Sequence, residues 1–295
     1  MKILLLMGGD TEREVSLMSG KEVFKSLNLL GHQVVKVDGR DYKFLSHEDY
    51  KMDLIFNALH GGIGENGVLQ GFFDDLKIPY TGSGVLASSL AMNKILAKKI
   101  FAESGINVAK DKLADINDVI EKDPMSRPYV LKPIDGGSSI DIEIIDKNFD
   151  TKILTAKKNK TNYFVEQFIE GKELSVAIID NEILGIIEIK YVENFYNYNA
   201  KYKASETKYV LPKNISSIAR EKLNKYALSA HKSLGCKGLT RADFILPITH
   251  PDDPVLLEIN TLPGLTTHSL VPKIANNCGI SYDNLIAKII HGAIN

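Results

Sequence analysis

The residue types most suited to chemistry lie in two neighbouring apolar runs near the end of the chain. Arg241 and Asp243 alternate with apolar residues in the first run, and Glu258 and Asn260 do so in the second. The Pro/Asp-rich segment 250–254 predicts a hairpin, in which side chains two apart on a strand share a face. A guanidinium, two carboxylates and a carboxamide on one face would suit a Mg²⁺ ion that bridges phosphates. The alternative is the solvated face of a half-buried hairpin.

The composition limits the classes of protein to which the chain can belong. Its 295 residues are 44% hydrophobic and 25% charged, which is typical of a globular protein with two or three domains. The net charge of −1 gives no reason to expect nucleic acid or an anionic membrane as a partner. Two cysteines are too few for a disulfide framework or a cysteine-based zinc site. The apolar run 3–7 is too short for a signal peptide, and no segment approaches membrane-spanning length, so a cytoplasmic location is expected.

The chain opens with a strand–turn–helix–strand pattern. A buried strand at 3–7 leads through a glycine turn into an amphipathic helix, and a second strand follows at 33–38. The turn lacks both G-x-G-x-x-G and a Walker A lysine, so no ATP site is assigned to it. Glu14 lies near the helix start, where it either stabilises the helix dipole or accepts a substrate ammonium group.

A glycine-rich loop, 60–67, follows the third predicted strand, at 54–59. The permissive backbone of its glycines indicates that the loop approaches another group closely. His60 opens this loop, and it is either a packed or capping residue or a ligand contact. The first domain is expected to end near residue 93.

A second loop, 134–139, is rich in Gly and Ser and lies between strands predicted at 129–133 and 140–145. Its backbone N–H groups would cover a polyphosphate, and Lys132 would add a positive charge beside it. A flexible surface hairpin is the alternative.

The next predicted strand, at 163–167, ends in a polar turn whose backbone groups would suit a flat adenine. Glu173 starts the following strand and would accept hydrogen bonds from ribose hydroxyls. Ordinary surface charge is the alternative explanation for Glu166 and Glu173.

The segment 193–212 is too polar and aromatic for a core element and too long for a plain connection. Long ordered loops of this kind often act as lids over a site. Its interleaved lysines and tyrosines also fit single-stranded nucleic acid, which the near-zero net charge disfavours.

Several motifs of this chain, in order and over nearly its whole length, resemble those of the D-alanine–D-alanine ligases of the ATP-grasp superfamily. The motifs are Gly-Gly-Asp-Thr-Glu-Arg-Glu-Val-Ser (8–16), Ala-Leu-His-Gly-Gly-Ile-Gly-Glu-Asn-Gly (58–67), Pro-Tyr-Thr-Gly-Ser-Gly (79–84), Tyr-Asn-Ala-Lys-Tyr (198–202), Gly-Cys-Lys-Gly-Leu-Thr-Arg-Ala-Asp-Phe (235–244) and Glu-Ile-Asn-Thr-Leu-Pro-Gly-Leu-Thr-Thr-His-Ser-Leu (258–270).

The resemblance implies an α/β, ATP-grasp fold of three domains: a Rossmann-like substrate domain (1–93), a central domain with the phosphate loop (94–174) and a C-terminal domain with the lid and metal site (175–295). It implies ATP and Mg²⁺ or Mn²⁺ as cofactors. In the implied reaction, ATP phosphorylates the carboxylate of one D-alanine, and the amine of a second D-alanine attacks the acylphosphate. The product serves peptidoglycan synthesis, and a homodimer is expected.

The resemblance also assigns roles to residues at matching positions. The implied metal ligands are Asp243, Glu258 and Asn260. The implied ATP contacts are Lys94, Lys132, Ser138, Ser139, Glu166, Phe168, Ile169, Glu173 and Lys201. Glu14 resembles the residue that binds the ammonium group of the first D-alanine, linked to Ser138 and Tyr202.

The remaining implied roles concern the two amino-acid substrates. His60 would lie near the first D-alanine. Arg241 and the backbone N–H of Gly264 resemble the oxyanion site. Ser269, with the backbone N–H of Leu270, resembles the receptor for the carboxylate of the second D-alanine.

One position departs from the family pattern, since Asp141 stands where the family usually has glycine. A carboxylate pointing toward the phosphates would repel them, so we expect Asp141 to point outward along the strand. Two alternatives stay open. A ligase that takes D-lactate or D-serine second is disfavoured by Tyr202 in the lid, and a regulatory protein without turnover is disfavoured by the complete set of charged site residues.

Overall fold

A computed structural model describes residues 1–41, 51–137, 141–157, 162–190 and 207–294. Ser138, Ser139, Lys201 and Tyr202 lie outside these ranges, as does the predicted lid up to residue 206. The described residues form three sheets flanked by helices. No helix in this part of the chain is both long and apolar enough to cross a bilayer.

The first sheet is parallel and has helices on both faces. Its elements are β1 (Lys2–Met7), α1 (Arg13–Leu29), β2 (Gln33–Asp38), β3 (Leu54–Asn57), a 3₁₀ turn (Gly62–Gly64), α2 (Val68–Leu76) and α3 (Val85–Met92). β1 is the central strand, between β2 and β3. Ile3 and Leu5 pack in one cluster with α1, whereas Leu4 and Leu6 pack in another with α2. Because both faces are covered, the strand is a continuous apolar run, as predicted.

The second sheet is antiparallel, in the order β4-β7-β5-β6. The elements of this region are α4 (Lys94–Glu103), β4 (Asp111–Leu113), α5 (Ile116–Glu121), β5 (Tyr129–Pro133), β6 (Glu143–Ile145), a 3₁₀ helix (Thr151–Lys157) and β7 (Tyr163–Gln167). Asp141, just before β6, has φ 60°. This left-handed conformation favours glycine and is tolerated by aspartate, which accounts for the glycine expected at this position.

The third sheet has five strands, in the order β10-β9-β8-β11-β12. Its elements are β8 (Gly171–Ile179), β9 (Glu182–Lys190), β10 (Lys208–Val210), α6 (Ser217–Ser233), β11 (Leu239–Pro247), β12 (Val255–Asn260), α7 (Leu270–Asn277) and α8 (Tyr282–Ile294). Along β8, Leu174 and Val176 pack with α6, whereas Ala177 and Ile179 pack with α7 and α8. Two helical layers therefore cover this sheet.

The two predicted domain boundaries fall at different kinds of structural position. The predicted boundary after residue 93 falls between α3 and α4, where the Asn93 side chain caps α4 by accepting from the backbone N–H of Leu96. The predicted boundary after residue 174 falls inside β8, which pairs with β11 from Gly171 onward. At the start of β8, Lys172 pairs with Leu246 and Gly171 with Pro247.

Candidate active site

The predicted hairpin of charged side chains forms between β11 and β12. The strands are antiparallel, and their register sets Arg241 opposite Asn260 and Asp243 opposite Glu258. Directly opposed residues point to the same face of a sheet, so all four side chains share one face. Together with Glu12, His60, Gly264 and Ser269 they line one cavity, which we call the polar cavity. The predicted convergence of these four groups is therefore confirmed.

Asp243 is the most heavily hydrogen-bonded acid of this face. Arg241 donates from Nε to Oδ1 at 2.8 Å and from Nη2 to Oδ2 at 2.7 Å. Ser175, on the neighbouring strand β8, donates from Oγ to Oδ1 at 2.6 Å. These donors offset the cost of burying the carboxylate and fix its orientation. Arg241 Nε also lies 3.2 Å from Oδ2, so the guanidinium engages both oxygens of the carboxylate.

Lys94 links the hairpin to Gly136 of the Gly/Ser-rich loop. Its Nζ lies 3.6 Å from Glu258 Oε2 and donates to the backbone carbonyl of Gly136 at 2.6 Å. Burial lowers the pKa of the Lys94 ammonium; the Glu258 carboxylate opposes this shift, and Lys132 adds to it. The passage lined by Lys94, Lys132, Gly136, Gly137 and Glu258 thus brings two ammonium groups beside the predicted phosphate loop.

The donor set on this face fits a hard divalent cation. Asp243, Glu258 and Asn260 offer oxygen atoms, which are the ligands that Mg²⁺ and Mn²⁺ prefer. The Asn260 amide is already oriented, because its Oδ1 accepts from the backbone N–H of Leu262 at 2.8 Å and keeps a second lone pair. Among the described residues, no three His, Cys, Asp or Glu side chains form a metal cluster by themselves. The carboxamide oxygen of Asn260 would therefore be the third ligand, beside the carboxylates of Asp243 and Glu258.

The structure places Glu12, and not Glu14, at the polar cavity. Glu12 precedes the first turn of α1 with φ 45°, and its side chain lines the cavity. Glu14 is exposed on α1, and the next helical turn on its face carries the half-exposed Met18. Val15, the residue after Glu14, lines the cavity, whereas Glu14 does not. Because Met18 is apolar, helical periodicity in the sequence does not show that Glu14 is exposed, and only the structure distinguishes the two acids.

The turn that carries Glu12 is held by an ion pair. Arg13 Nη2 lies 2.5 Å from Asp38 Oδ2, and Asp38 Oδ1 also accepts from the backbone N–H of Gly9 at 3.2 Å. Hydrogen bonding from Arg13 lowers the pKa of Asp38 well below its ordinary value. The pair joins the end of β2 to the start of α1 and so fixes the chain on both sides of Glu12.

His60 is buried at the wall of the polar cavity. Its Nε2 lies 3.0 Å from Ser19 Oγ, and its Nδ1 lies 3.8 Å from Glu65 Oε1. Ser19 Oγ also accepts from the backbone N–H of Leu265 at 3.4 Å. The histidine is thus both packed and in contact with the cavity, which unites its two predicted readings. Glu65, which the sequence reasoning did not single out, lines the same wall.

Gly264, Ser269 and Leu270 form an adjoining wall of the polar cavity, where α7 begins. Ser269 Oγ accepts from the backbone N–H of Thr266 at 3.1 Å and lies 2.8 Å from its hydroxyl. A Cβ on Gly264 would lie 2.8 Å from Ser269 Oγ, so the glycine leaves the space that this hydroxyl occupies. The start of a helix favours an anion, so this wall is suited to a carboxylate.

A larger cavity of about 520 Å³, which we call the slot, opens between the second and third sheets. Apolar side chains from the two sheets line it, including Val130, Ile142, Ile144, Ile189, Ile245 and Leu257. The predicted ATP contacts that line it are Lys132, Glu166, Phe168, Ile169 and Glu173. Glu173 also lines the polar cavity, so the two cavities adjoin. Apolar faces beside charged groups such as Lys132, Glu166 and Glu173 suit a planar ring that carries polar substituents.

One buried residue beside the slot was missed by the sequence reasoning. Lys98 is 2% exposed, and its Nζ lies 2.7 Å from Glu166 Oε2. Lys132 contacts the other oxygen of the same carboxylate. Burial alone would raise the pKa of Glu166, but the ammonium groups of Lys132 and Lys98 outweigh it and hold the pKa below its ordinary value. A lysine among the apolar positions of α4 was the available sequence signal.

Comparisons with known proteins agree with this geometry. The family described as D-ala D-ala ligase C-terminus matches residues 100–291, and that described as D-ala D-ala ligase N-terminus matches residues 36–83. A D-alanine–D-alanine ligase of Pelagibacter ubique is 43% identical over 302 residues, covering 99% of this chain and 98% of that protein. One of Agrobacterium fabrum is 40% identical over 300 residues, covering 99% and 97%.

Solved structures give the same result. The D-alanine–D-alanine ligase from Bacillus anthracis complexed with ATP matches with a TM-score of 0.83 at 30% identity, covering 100% of this chain and 97% of that one. The VanG D-Ala:D-Ser ligase from Enterococcus faecalis matches with a TM-score of 0.80 at 28% identity, covering 98% of each chain.

Proposed function

This chain belongs to the D-alanine–D-alanine ligase family, and from that premise we propose how its cavities carry out the reaction. The protein joins two D-alanine molecules into D-alanyl-D-alanine with conversion of ATP to ADP, which supplies peptidoglycan synthesis. The observation that carries the mechanism is the adjacency of the two cavities. They share Glu173, and the passage between Lys132 and Glu258 runs from the nucleotide slot to the charged hairpin face.

ATP lies in the slot with its base between the apolar faces. Glu166, with the backbone of Phe168 and Ile169, meets the edge of the base, and Glu173 meets the ribose. Lys132 and Lys94 then lie toward the phosphates. This placement is supported by the apolar faces of the slot and by the two ammonium groups of the passage.

Asp243, Glu258 and Asn260 would hold Mg²⁺ or Mn²⁺, which when bound neutralises phosphate charge as the phosphoryl group is transferred. The support for this assignment is the oxygen-only donor set and the register of β11 with β12.

The reaction proceeds in two displacements. A carboxylate oxygen of the first D-alanine attacks the γ-phosphorus of ATP, and the bond to the β,γ-bridging oxygen breaks to release ADP. The amine of the second D-alanine attacks the acyl carbon, loses a proton and expels phosphate. Arg241 and the backbone N–H of Gly264 stabilise the negative charge that develops on oxygen. No covalent protein nucleophile is required, since the residues act by positioning and by charge.

The two amino acids occupy different parts of the polar cavity. Glu12 takes the role that the sequence assigned to Glu14 and accepts from the ammonium group of the first D-alanine, with His60 nearby. Ser269 and the backbone N–H of Leu270 bind the carboxylate of the second. Support comes from the position of each group on the cavity and from the helix start at Leu270.

Four further roles stay predictions from the family resemblance, because these residues lie outside the described part of the chain. Ser138 and Tyr202 would link to the ammonium-binding acid, and Ser139 and Lys201 would contact ATP.

We also propose a cytoplasmic homodimer. Light scattering coupled to gel filtration tests the dimer, and a single mass equal to one chain would refute it.

The second candidate function differs in the substrate that accepts the acyl group. The structural similarity to a D-Ala:D-Ser ligase favours D-serine as the alternative second substrate, and D-lactate is tested beside it. A nucleotide-binding regulatory protein would bind ATP without releasing phosphate.

The deciding experiment follows ADP and phosphate release in the presence of ATP, Mg²⁺ and each acceptor, with the product identified by mass spectrometry. We expect release that depends on D-alanine and a product of the mass of D-alanyl-D-alanine. If kcat/KM were higher with D-serine or D-lactate as the second substrate than with D-alanine, and the mixed product formed, the acceptor assignment would change. ATP binding without turnover would support the regulatory reading.

A further inference from the structure

The carboxylate at the edge of the slot has a separate ammonium group on each oxygen. Lys132 contacts Glu166 Oε1, and Lys98 lies 2.7 Å from Oε2. All three side chains are buried, with Glu166 3%, Lys98 2% and Lys132 6% exposed. Lys98 also lies 2.9 Å from Asp111 Oδ1, so the cluster balances two positive and two negative charges. A buried carboxylate held in this way has one orientation.

The two lysines differ in what else they can reach. Lys132 lines both the slot and the passage that contains Lys94 and Gly136. Lys98 lines neither and stands behind Glu166 on α4. A triphosphate in the passage would therefore compete with Glu166 for Lys132 but not for Lys98. Lys98 is thus the contact that continues to hold Glu166 when the phosphates attract Lys132.

An ionised, fixed carboxylate discriminates between bases. It accepts hydrogen bonds and donates none, so an exocyclic amino group is favoured opposite it. An oxo group at the same place sets two acceptors against each other in a buried site, which is unfavourable. The direction of the Glu166 pKa shift agrees with the ionised form.

We propose that Lys98 is a positioning residue that holds Glu166 as the acceptor for the amino group of the base and thereby makes the enzyme select ATP over a 6-oxopurine triphosphate. The inference rests on the proposed function, because it requires the nucleotide to lie in the slot. Lys98 acts through Glu166 and touches no substrate.

The experiment compares Lys98→Met with Lys99→Met. Lys99 is the next residue of α4 and is exposed, so it is a matched control for the same change. kcat/KM is measured for ATP and for inosine triphosphate, which carries an oxo group where ATP has the amino group, at saturating D-alanine. Lys98→Met should lower kcat/KM for ATP by about tenfold or more, the cost of a hydrogen bond to a charged group, and change that for inosine triphosphate less. Lys99→Met should keep the wild-type ratio.

Two further variants separate positioning from folding. Lys98→Arg keeps the charge and should restore most of the ATP preference. Lys98→Gln keeps a donor toward Glu166 and decides the question if Lys98→Met does not fold, as judged by its thermal melt. If both neutral variants fold, the ATP preference of Lys98→Gln should lie between those of wild type and Lys98→Met. If only Lys98→Gln folds, its ATP preference should be lower than that of wild type.

Two outcomes would contradict the proposed role of Lys98. An unchanged ATP-to-inosine-triphosphate ratio in a folded neutral variant overturns the inference, as does an equal loss in Lys99→Met. Calorimetric binding of ADP and IDP measures the same preference without turnover. If wild type binds ADP over IDP and Lys98→Met does not, but neither forms dipeptide, the proposed reaction fails while the role of Lys98 stands.

Discussion

At the scale of single residues, the chemistry depends on where each charge is held. Glu258 lies opposite Asp243 on the hairpin and 3.6 Å from the ammonium of Lys94. It lines both the polar cavity and the passage toward the slot. A carboxylate in this position can serve a cation and a phosphate-binding lysine together, so its charge matters more than its shape.

Glu258→Gln tests this assignment, because it keeps the shape and removes the charge. We expect kcat to fall by about a hundredfold or more, comparable to the loss of one group that stabilises charge in a transition state. The thermal melting temperature should stay close to that of wild type. The control is Glu182→Gln at the exposed start of β9, which should keep full activity. Undiminished turnover in Glu258→Gln would remove the metal assignment.

Glu12 and Glu14 provide a second test with its control two residues away. Glu12→Gln replaces a charge-assisted hydrogen bond to an ammonium group by a neutral one and should raise the KM for D-alanine by about tenfold or more. Glu14→Gln, on the exposed face of α1, should leave the kinetics unchanged. Steady-state kinetics at saturating ATP distinguish the two, and a larger effect at Glu14 would restore the assignment made from the sequence.

At the scale of elements, the walls of the polar cavity come from the starts and ends of helices and strands. β11 and β12 supply the charged face, and α7 begins beside it at Leu270. Tyr282, at the start of α8, donates from its hydroxyl to the backbone carbonyl of Leu265 at 2.8 Å. The loop between β12 and α7 is therefore held at Leu265, next to Gly264.

Gly264→Ala tests how tightly this loop is packed. The new Cβ would lie 2.8 Å from Ser269 Oγ, and the hydroxyl must move away from Thr266 to make room. We expect the KM for the second D-alanine to rise severalfold and the melting temperature to change little. Gly71→Ala on α2 meets only Val85, at 3.6 Å, and should leave activity intact. Equal kinetics for both variants would argue against a role for this wall in binding the acceptor.

At the scale of the whole molecule, one cluster joins the first and third sheets. Ile3 and Leu5 of β1 pack in it with Val271 of α7 and Ile286 of α8. A separate cluster joins α4 to the third sheet through Ala97 and Phe101. Packing of α7 and α8 against the first sheet, and of α4 against the third, thus holds together the elements around the polar cavity.

A buried histidine makes the stability of this assembly depend on pH. His231 is fully buried on α6; its Nδ1 lies 2.8 Å from Thr240 Oγ1, and its Nε2 has no hydrogen-bond partner among the described residues. Burial, with a smaller effect of Lys232, lowers the pKa of His231 from 6.5 to about 4. Between these values the unfolded chain binds the proton and the folded chain does not. The free energy of unfolding should therefore be highest above pH 6.5 and fall as the pH drops toward about 4.

Urea denaturation of wild type and His231→Leu across this range checks the sign. The variant should be less stable near neutrality, because Thr240 loses its partner, and its deficit should narrow as the pH falls. His250→Gln, in the exposed turn between β11 and β12, is the control and should follow the wild-type curve. A deficit that stays constant over the range would contradict the assignment to His231.

The sequence by itself determined what depends on short-range periodicity. Alternation along two strands placed Arg241 with Asp243 and Glu258 with Asn260, and the turn between the strands predicted that they pair, as they do. The continuous apolar run at the start predicted a strand covered on both faces.

Only the tertiary structure decided which charges meet across long separations. Lys98 and Glu166 are 68 residues apart, and no local pattern relates them. Glu12 faces the cavity because α1 starts at a particular angle, set by the pairing of Arg13 with Asp38 at the end of another strand. The start of β8 belongs to the third sheet because its backbone pairs with β11. Burial and charge at these points arise from packing between distant segments, which a linear pattern does not contain.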